Sequence, residues 1–130
     1  LAPLLGVLSQ YSISQAFMGE ADYTSAVRYL DAVIDDMGLV PSGSQFGVYF
    51  NAGFAYGSLE NFDQAIGYYS RAISLDSTNS LAFNNRGALR ARQGDYQRAI
   101  DDQNQAIALD PTSMSLNNRG TAYAGLVLQP

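Results

Sequence analysis

Apolar and small residues recur at intervals of three and four along most of the chain, the spacing typical of amphipathic helices. In the stretch 80–113 they mark a first helix that ends near Gly94 and a second helix with Ala99 and Ala106 on its apolar face. Because proline cannot donate a backbone hydrogen bond, Pro111 suits the turn that follows the second helix. The pattern predicts a helix–turn–helix unit.

A short polar residue precedes each predicted second helix. Asp22, Asn61 and Asp95 stand where a side-chain oxygen can accept a hydrogen bond from the amides of the first helical turn. Asn61 also lies three residues before Gln64, which is the spacing of a capping box. We expect these polar residues to begin the second helices.

The unit repeats along the chain. The segment that begins at Asn61 is matched 34 residues later by the segment at Asp95, and 39 residues earlier by the segment at Asp22. The five extra residues, 41–45, are of turn-forming types and indicate a turn-rich insertion. A fourth, partial copy follows, because the motif Asn-Asn-Arg-Gly at 84–87 recurs at 117–120.

Together these copies predict an all-α fold of about seven helices in a single domain, residues 1–130. The helices form three hairpins plus one further first helix. Small residues recur where paired helices must touch, with Gly53, Gly87 and Gly120 on the first helices. The predicted repeats are 7–40, 46–79 and 80–113, with a partial repeat at 114–130.

The unit resembles the tetratricopeptide repeat, a helix–turn–helix family with bulky, small and aromatic residues at fixed places. Residues 46–79 follow the pattern with Ser77 in place of proline, and residues 7–40 follow it more weakly, with Val33 where alanine is usual. The resemblance implies a right-handed α-solenoid. It also implies a non-enzymatic scaffold whose concave groove, lined by the first helix of each pair, holds a peptide or partner segment. Residues 80–113 carry the pattern most fully, with Phe83, Gly87, Tyr96, Ala99, Ala106 and Pro111.

The family's inward-facing positions, carried over to this sequence, imply a peptide-binding groove. Asparagine stands at one of these positions in three successive repeats, as Asn51, Asn85 and Asn118. A carboxamide has both a donor and an acceptor, so this ladder of asparagines can hold a peptide main chain. The alternative is that each asparagine is satisfied by local backbone or water. The candidate groove residues are Tyr11, Gln15, Phe50, Asn51, Phe54, Asn84, Asn85, Arg92, Asn117 and Asn118.

Some members of the family bind acidic C-terminal peptides through a two-carboxylate clamp of Lys, Asn, Asn, Lys and Arg. Only one of the five clamp positions agrees here, and the chain contains no lysine. We therefore expect a neutral or weakly polar ligand with apolar contacts at Tyr11, Phe50 and Phe54, although packing between repeats also explains these aromatic residues. The residues at the clamp positions are Tyr11, Gln15, Asn51, Leu81 and Asn85.

The composition excludes much of enzyme chemistry. There is no cysteine and no histidine, and all seven basic residues are arginine. Thiolate and imidazole catalysis, metal sites with such ligands and Schiff-base lysines are therefore excluded. Twelve acidic residues against seven basic ones give a net charge of −5, the wrong sign for binding a phosphate backbone. We predict no enzyme activity, no cofactor, no metal and no nucleic-acid partner.

Two arginines occupy a place where the family usually has an apolar residue, so each needs a polar partner. For Arg86 the expected partner is Asp102, on the second helix of the same unit. The preceding unit has Ala52 and Tyr68 at these two places, so that the charge and its counter-charge are absent together. This pattern predicts a structural ion pair; the second such arginine is Arg119.

Both ends of the chain are apolar, which suggests a second function. Two unlike apolar ends permit a head-to-tail contact that generates a fibre, so a self-assembling structural protein is the alternative hypothesis. Truncation of a longer array, or folding of the last segment back as a cap, explains the same pattern. The possible end interfaces are Leu4, Leu5 and Leu8 at the start and Tyr123, Leu126 and Leu128 on the last predicted helix, residues 115–128.

No stretch of the sequence approaches the ~20 apolar residues that a membrane span needs. The chain starts at Leu1 rather than Met, which a removed signal peptide would explain. We therefore expect an exported location (periplasmic, extracellular or in an organelle lumen) rather than a cytoplasmic one.

Overall fold

A computed structural model describes the backbone of residues 2–130 and the side chains from Gly6 onward. Within these residues the structure is helical, with seven α-helices and a short 3-10 helix at Met37–Leu39. The predicted all-α fold is therefore confirmed. The α-helices are α1 (Ala2–Gly19), α2 (Tyr23–Asp35), α3 (Ser42–Ser58), α4 (Phe62–Leu75), α5 (Ser80–Arg92), α6 (Tyr96–Leu109) and α7 (Ser113–Val127).

Asp22 and Asp95 cap the second helices that follow them, as the sequence predicts. Asp22 accepts a hydrogen bond from the main-chain amide three residues later at 3.1 Å, and Asp95 does the same at 3.4 Å. Each carboxylate thereby satisfies an amide that has no partner within its helix. Asn61 precedes α4, and its side chain donates a hydrogen bond to Oε1 of Gln64.

The insertion at 41–45 lengthens a helix instead of forming a turn. Pro41 directly precedes α3, and residues 42–45 form the first turn of that helix. As a result α3 has 17 residues where α5 has 13. The side chain of Gln45 donates to the main-chain oxygen of Val40 at 3.1 Å, which ties this added turn to the chain before it. The turn-forming composition of the segment did not reveal this contact.

The chain divides into two compact units, residues 1–75 and 76–130. In the first unit, α1 pairs with α2, α3 pairs with α4, and α2 packs against α3. Gly53 lies under the ring of Tyr69, because a Cβ at this position would come within 2.9 Å of the ring. The buried apolar residues of this unit include Val7, Ala26, Leu30, Val33, Val48, Ala52, Ala65, Tyr69 and Ala72.

In the second unit, α5 pairs with α6, and α7 packs against both. Gly87 allows the close approach of α6, since a Cβ there would lie 2.8 Å from Nε2 of Gln103. Gly94, between the two helices, has a φ of 84°, a conformation that glycine adopts without a steric cost. The buried apolar residues of this unit are Ala82, Phe83, Leu89, Ala99, Ile100, Ala106 and Ala122.

The prediction that small residues lie where helices touch holds for Gly53 and Gly87. Gly120 differs, because a Cβ there would meet no atom within 4 Å. Within residues 2–130, no second helix covers this face of α7. None of the described helices is long and apolar enough to cross a membrane.

Candidate functional site

Three of the predicted groove residues meet at one hydroxyl group in the first unit. Nδ2 of Asn51 donates to the hydroxyl oxygen of Tyr11 at 3.3 Å, and the side chain of Gln15 is hydrogen-bonded to the same group. Burial raises the pKa of Tyr11 above its ordinary value, although the contact with Gln15 opposes this rise. Tyr11 and Asn51 are half-buried, whereas Gln15 is exposed. These residues form a local polar cluster between α1 and α3.

The two predicted groove phenylalanines have different surroundings. The ring of Phe50 stacks on Phe46, with centroids 5.8 Å apart, and meets the ring of Tyr69 edge-on at 5.5 Å. Phe54 lies 5.8 Å from the ring of Tyr23 but is 42% exposed. Phe50 therefore packs within the unit, while the Phe54 side chain presents apolar surface to solvent.

In the second unit, the asparagines form hydrogen bonds with one another. Asn84 is only 4% exposed, and its Oδ1 accepts a hydrogen bond from Nδ2 of Asn118 at 3.0 Å. Its main-chain oxygen accepts from Nε2 of Gln103 at 3.0 Å, and its Nδ2 lies 3.4 Å from Oδ1 of Asn85. Asn84 therefore positions Asn118 and links α5 to both α6 and α7.

The remaining predicted asparagines are more accessible. Asn85 is half-buried and Asn117 is exposed. The main-chain oxygen of Asn117 accepts a hydrogen bond from the Thr121 hydroxyl at 3.1 Å, one turn further along α7. The alternative to peptide binding was that the ladder asparagines bond to local backbone or water. In the structure, Asn51 instead bonds to the side chain of Tyr11, and Asn118 bonds to the side chain of Asn84.

A cleft of about 510 Å³ lies between α5, the start of α6 and α7. Its surface is mainly apolar, and the guanidinium of Arg92, the carboxamide of Asn118 and the hydroxyl of Thr121 add polar groups. Arg92 and Asn118 belong to the predicted groove, so the structure brings these two together. The complete lining is Ala88, Ala91, Arg92, Tyr96, Asn118, Thr121, Ala124, Gly125 and Leu128.

Two features of this cleft were missed by sequence reasoning. Leu128, assigned from sequence to an end interface, lines the cleft. Tyr96 forms one wall, and α7 can approach its ring because position 125 is a glycine; a Cβ there would overlap the ring. A glycine within a predicted helix was the available signal, since a residue without a Cβ permits a close approach.

A family model described as "Tetratricopeptide repeat" matches residues 50–113. The chain belongs to the tetratricopeptide repeat family. Its backbone is similar to that of the first such domain of Spaghetti (RPAP3), with a TM-score of 0.82 over 95% of this chain and 94% of that chain. The two are 19% identical, so this likeness shows the fold.

Two curated proteins are similar in sequence to this chain over part of their own length. The chain is 34% identical over 77 residues to the heat shock protein sti1 homolog of Schizosaccharomyces pombe, and 24% identical over 119 residues to tetratricopeptide repeat protein 13 of Homo sapiens. These matches cover 58% and 88% of this chain. They cover only 12% and 13% of the two relatives, so the chain spans about an eighth of their length.

The predicted ion pair of the third tetratricopeptide repeat is present. Nη2 of Arg86 lies 2.7 Å from Oδ1 of Asp102, and Nε lies 3.0 Å from Oδ2. Arg90 adds a contact of 2.9 Å to the same carboxylate, which is buried. Arg119 instead donates to the neutral carboxamide of Asn104 at 3.1 Å. The pair joins α5 to α6, and neither of its residues lines the cleft.

A tyrosine cluster that the sequence did not predict joins α2, α3 and α4. The hydroxyl of Tyr56 donates to Oδ2 of Asp31 at 2.6 Å. The ring of Tyr68 stacks on Tyr56 with centroids 5.6 Å apart, and the guanidinium of Arg71 lies 5.5 Å from the centre of the Tyr68 ring. Burial, followed by the hydrogen bond to Asp31 and its charge, raises the pKa of Tyr56 well above its usual range.

The predicted end-interface residues that the structure describes are exposed. Leu8 in α1 is 37% exposed, and Leu128, just after α7, is 80% exposed. Tyr123 and Leu126 are 47% and 36% exposed. The side chains of Leu4 and Leu5 lie outside the described residues. Among the described side chains, no group of three acidic residues is placed to hold a metal ion.

Proposed function

We propose that this chain is a non-enzymatic protein-interaction scaffold that holds a peptide or partner segment in the cleft of its second unit. The observation that carries this proposal is the cleft itself, in which Arg92, Asn118 and Thr121 border an apolar surface. A mainly apolar concavity with a few polar groups is typical of a ligand site. The membership of the tetratricopeptide repeat family supports a protein or peptide as the ligand.

The lining indicates the chemistry of the ligand. Tyr96 and Leu128 suit an apolar side chain, while the carboxamide of Asn118 and the hydroxyl of Thr121 suit a peptide group of the main chain. Arg92 supplies the cation of the lining and suits a carbonyl oxygen of the bound segment. The bound segment is therefore extended, with an apolar side chain as its anchor.

Two proteins of the same fold support a peptide ligand and also show where this chain differs. The first domain of Spaghetti is bound to an HSP90 peptide, and the second domain of human RPAP3 to an HSP70 peptide. At two clamp positions that carry lysine in the clamp-type members, this chain has Tyr11 and Leu81. We therefore propose a neutral or weakly polar peptide rather than a chaperone tail that ends in carboxylates.

Peptides selected from a random display library on the immobilised chain test this proposal, with affinity measured by fluorescence anisotropy. Thr121→Trp fills the cleft and should weaken the binding of a selected peptide by about tenfold or more. Thr24→Trp, at an exposed position of α2, is the matched control and should leave binding unchanged. Equal affinities for both variants would show that the peptide binds elsewhere.

Head-to-tail self-assembly is a second candidate, supported by the exposure of Leu8 at one end and of Leu126 and Leu128 at the other. In this case light scattering should show particles whose size rises with protein concentration in the absence of any peptide. Leu126→Glu should then suppress the growth. A parent chain that is monomeric at high concentration rules this candidate out.

A further inference from the structure

The surface by which α5 receives α6 combines an arginine with a glycine. A Cβ at Gly87 would lie 2.8 Å from Nε2 of Gln103 and 3.0 Å from Cβ of Asp102, so the glycine allows α6 to come this close. The adjacent Arg86 holds the carboxylate of Asp102 at 2.7 and 3.0 Å. The arginine and the glycine together form a socket for a helix that carries a carboxylate.

The same motif recurs in α7 without such a helix. A Cβ at Gly120 would meet no atom within 4 Å. Arg119 contacts the neutral carboxamide of Asn104 at 3.1 Å, whereas Arg86 holds a carboxylate. The Arg119–Gly120 socket therefore has the residue types of the α5 socket but lacks, within the described chain, the helix that fills it.

Apolar residues extend this socket along α7. Leu116, Gly120, Tyr123 and Val127 are spaced by four, three and four residues, so they form one stripe, here called the open stripe. Leu116 is 46% exposed, Tyr123 47% and Val127 80%. On α5, the residue that corresponds to Leu116 is Phe83, which is 8% exposed. An exposed apolar stripe of this kind is typical of a surface that contacts another protein.

We propose that the open stripe docks an amphipathic helix of a partner protein, and that a carboxylate on this helix pairs with Arg119. The contact of α6 with α5 serves as the template for the occupant of the open stripe. By analogy, the docked helix presents an Asp or Glu to Arg119 and lies close against Gly120. A second copy of this chain that docks through α1 does not meet this requirement, because Ala2–Gly19 contains no acidic residue.

The open stripe is separate from the proposed peptide cleft. Asn118 and Thr121, which line the cleft, project from α7 about 130–170° away from the mean direction of the open stripe at 100° per residue. A variant can therefore block one surface without altering the other, and this inference does not depend on the function proposed for the cleft.

A synthetic peptide with the sequence 95–109 of α6 is the probe, because α6 fills the equivalent socket on α5. Isolated helices of this length are marginal in water. A lactam bridge from Asp101 to Gln105→Lys holds the helix, since both positions are exposed in α6. The matched control peptide has the same bridge and the substitution Asp102→Asn.

The first test blocks the glycine. Isothermal titration calorimetry should detect binding of the probe to the parent chain and weaker binding of the control peptide. Gly120→Leu should weaken binding of the probe by about tenfold or more. Gly67→Leu is the matched control, because Gly67 is a helical glycine of α4 whose Cβ would also meet no atom within 4 Å. This control should bind like the parent.

The second test reverses the charges. Arg119→Asp should weaken binding of the probe by about tenfold, because it places two carboxylates together. A probe with Asp102→Arg should bind the Arg119→Asp chain better than it binds the parent. This exchange of preference requires that the two side chains face each other, which a general loss of stability cannot imitate.

Three results would overturn the inference. The first is no binding at a probe concentration of about 1 mM. The second is binding that Gly120→Leu leaves unchanged. The third is self-association of the parent, in sedimentation measurements, that Gly120→Leu abolishes, since a second copy is then the occupant. Thr121→Trp should not affect the probe, so a failure here is distinguishable from a failure of the peptide cleft.

Discussion

Asn118 in α7 donates a hydrogen bond to Asn84 in α5, and their side-chain atoms Nδ2 and Oδ1 lie 3.0 Å apart. Asn84 is buried, and the two residues belong to successive repeats. This bond ties the two first helices of the second unit together, so Asn118 both supports the fold and lines the proposed cleft.

Asn118→Ala removes the donor and leaves a buried acceptor unpaired. We expect the free energy of unfolding to fall by about 1–3 kcal/mol in urea denaturation. Asn117→Ala changes the adjacent exposed asparagine and should alter the free energy by less than about 0.5 kcal/mol. If the two variants are equally stable, the hydrogen bond has no structural role.

Arg86→Leu removes the bidentate partner of the buried Asp102 carboxylate and leaves the contact with Arg90 at 2.9 Å. We expect a loss of about 1–3 kcal/mol, because hydrogen bonds to a buried charge are lost. Arg98→Leu is the control, since that side chain is largely exposed. Thermal unfolding followed by circular dichroism measures both, and a parent-like midpoint for Arg86→Leu would contradict the ion-pair account.

Gly87→Ala and Gly67→Ala should have opposite effects. At Gly87 the added methyl meets Gln103, Asp102 and the main-chain oxygen of Ala99 within 3.2 Å, so we expect a loss of about 1–3 kcal/mol. At Gly67 nothing lies within 4 Å, and alanine should stabilise the helix by about 0.5–1 kcal/mol. Urea denaturation of the two variants checks the sign, and a stabilising Gly87→Ala would contradict the close packing of α5 on α6.

Stability should fall at alkaline pH because of Tyr56. Its pKa is raised in the folded chain, so the folded state holds this proton more tightly than the unfolded state does. The contribution is fully present below the ordinary pKa of 10.0 and is lost as the pH rises above it. Between about pH 9 and pH 11, Tyr56→Phe should therefore lose less stability than the parent. Parallel loss in both proteins would exclude Tyr56 as the cause.

The sequence predicted the elements that depend on local or repeated signals. Asp22 and Asp95 indicate where helices begin, because a helix cap involves only a nearby side chain. Gly53 and Gly87 indicate close contacts between helices, because they recur at the same position of successive repeats. The pair of Arg86 with Asp102 was predictable because both charges are absent from the preceding repeat.

The features that the sequence did not predict depend on distances between helices, and the pattern of apolar and polar residues does not contain these distances. The sequence placed Asn84 at an inward position, but it did not show that Asn84 is buried and bonded to the carboxamide of Asn118 on α7. The contact of Tyr56 with Asp31 depends on how α3 packs against α2. The sequence likewise assigned Leu128 to an end of the chain, whereas it also lines the cleft.

Amide chemical shifts of the isotope-labelled chain, followed during titration with a selected peptide, test the proposed cleft most directly. Saturable shifts that are confined to the open stripe, or to residues outside the second unit, would contradict the account, as would the absence of any shift at saturating peptide. The account predicts that the largest shifts belong to Ala88, Arg92, Asn118, Thr121 and Leu128.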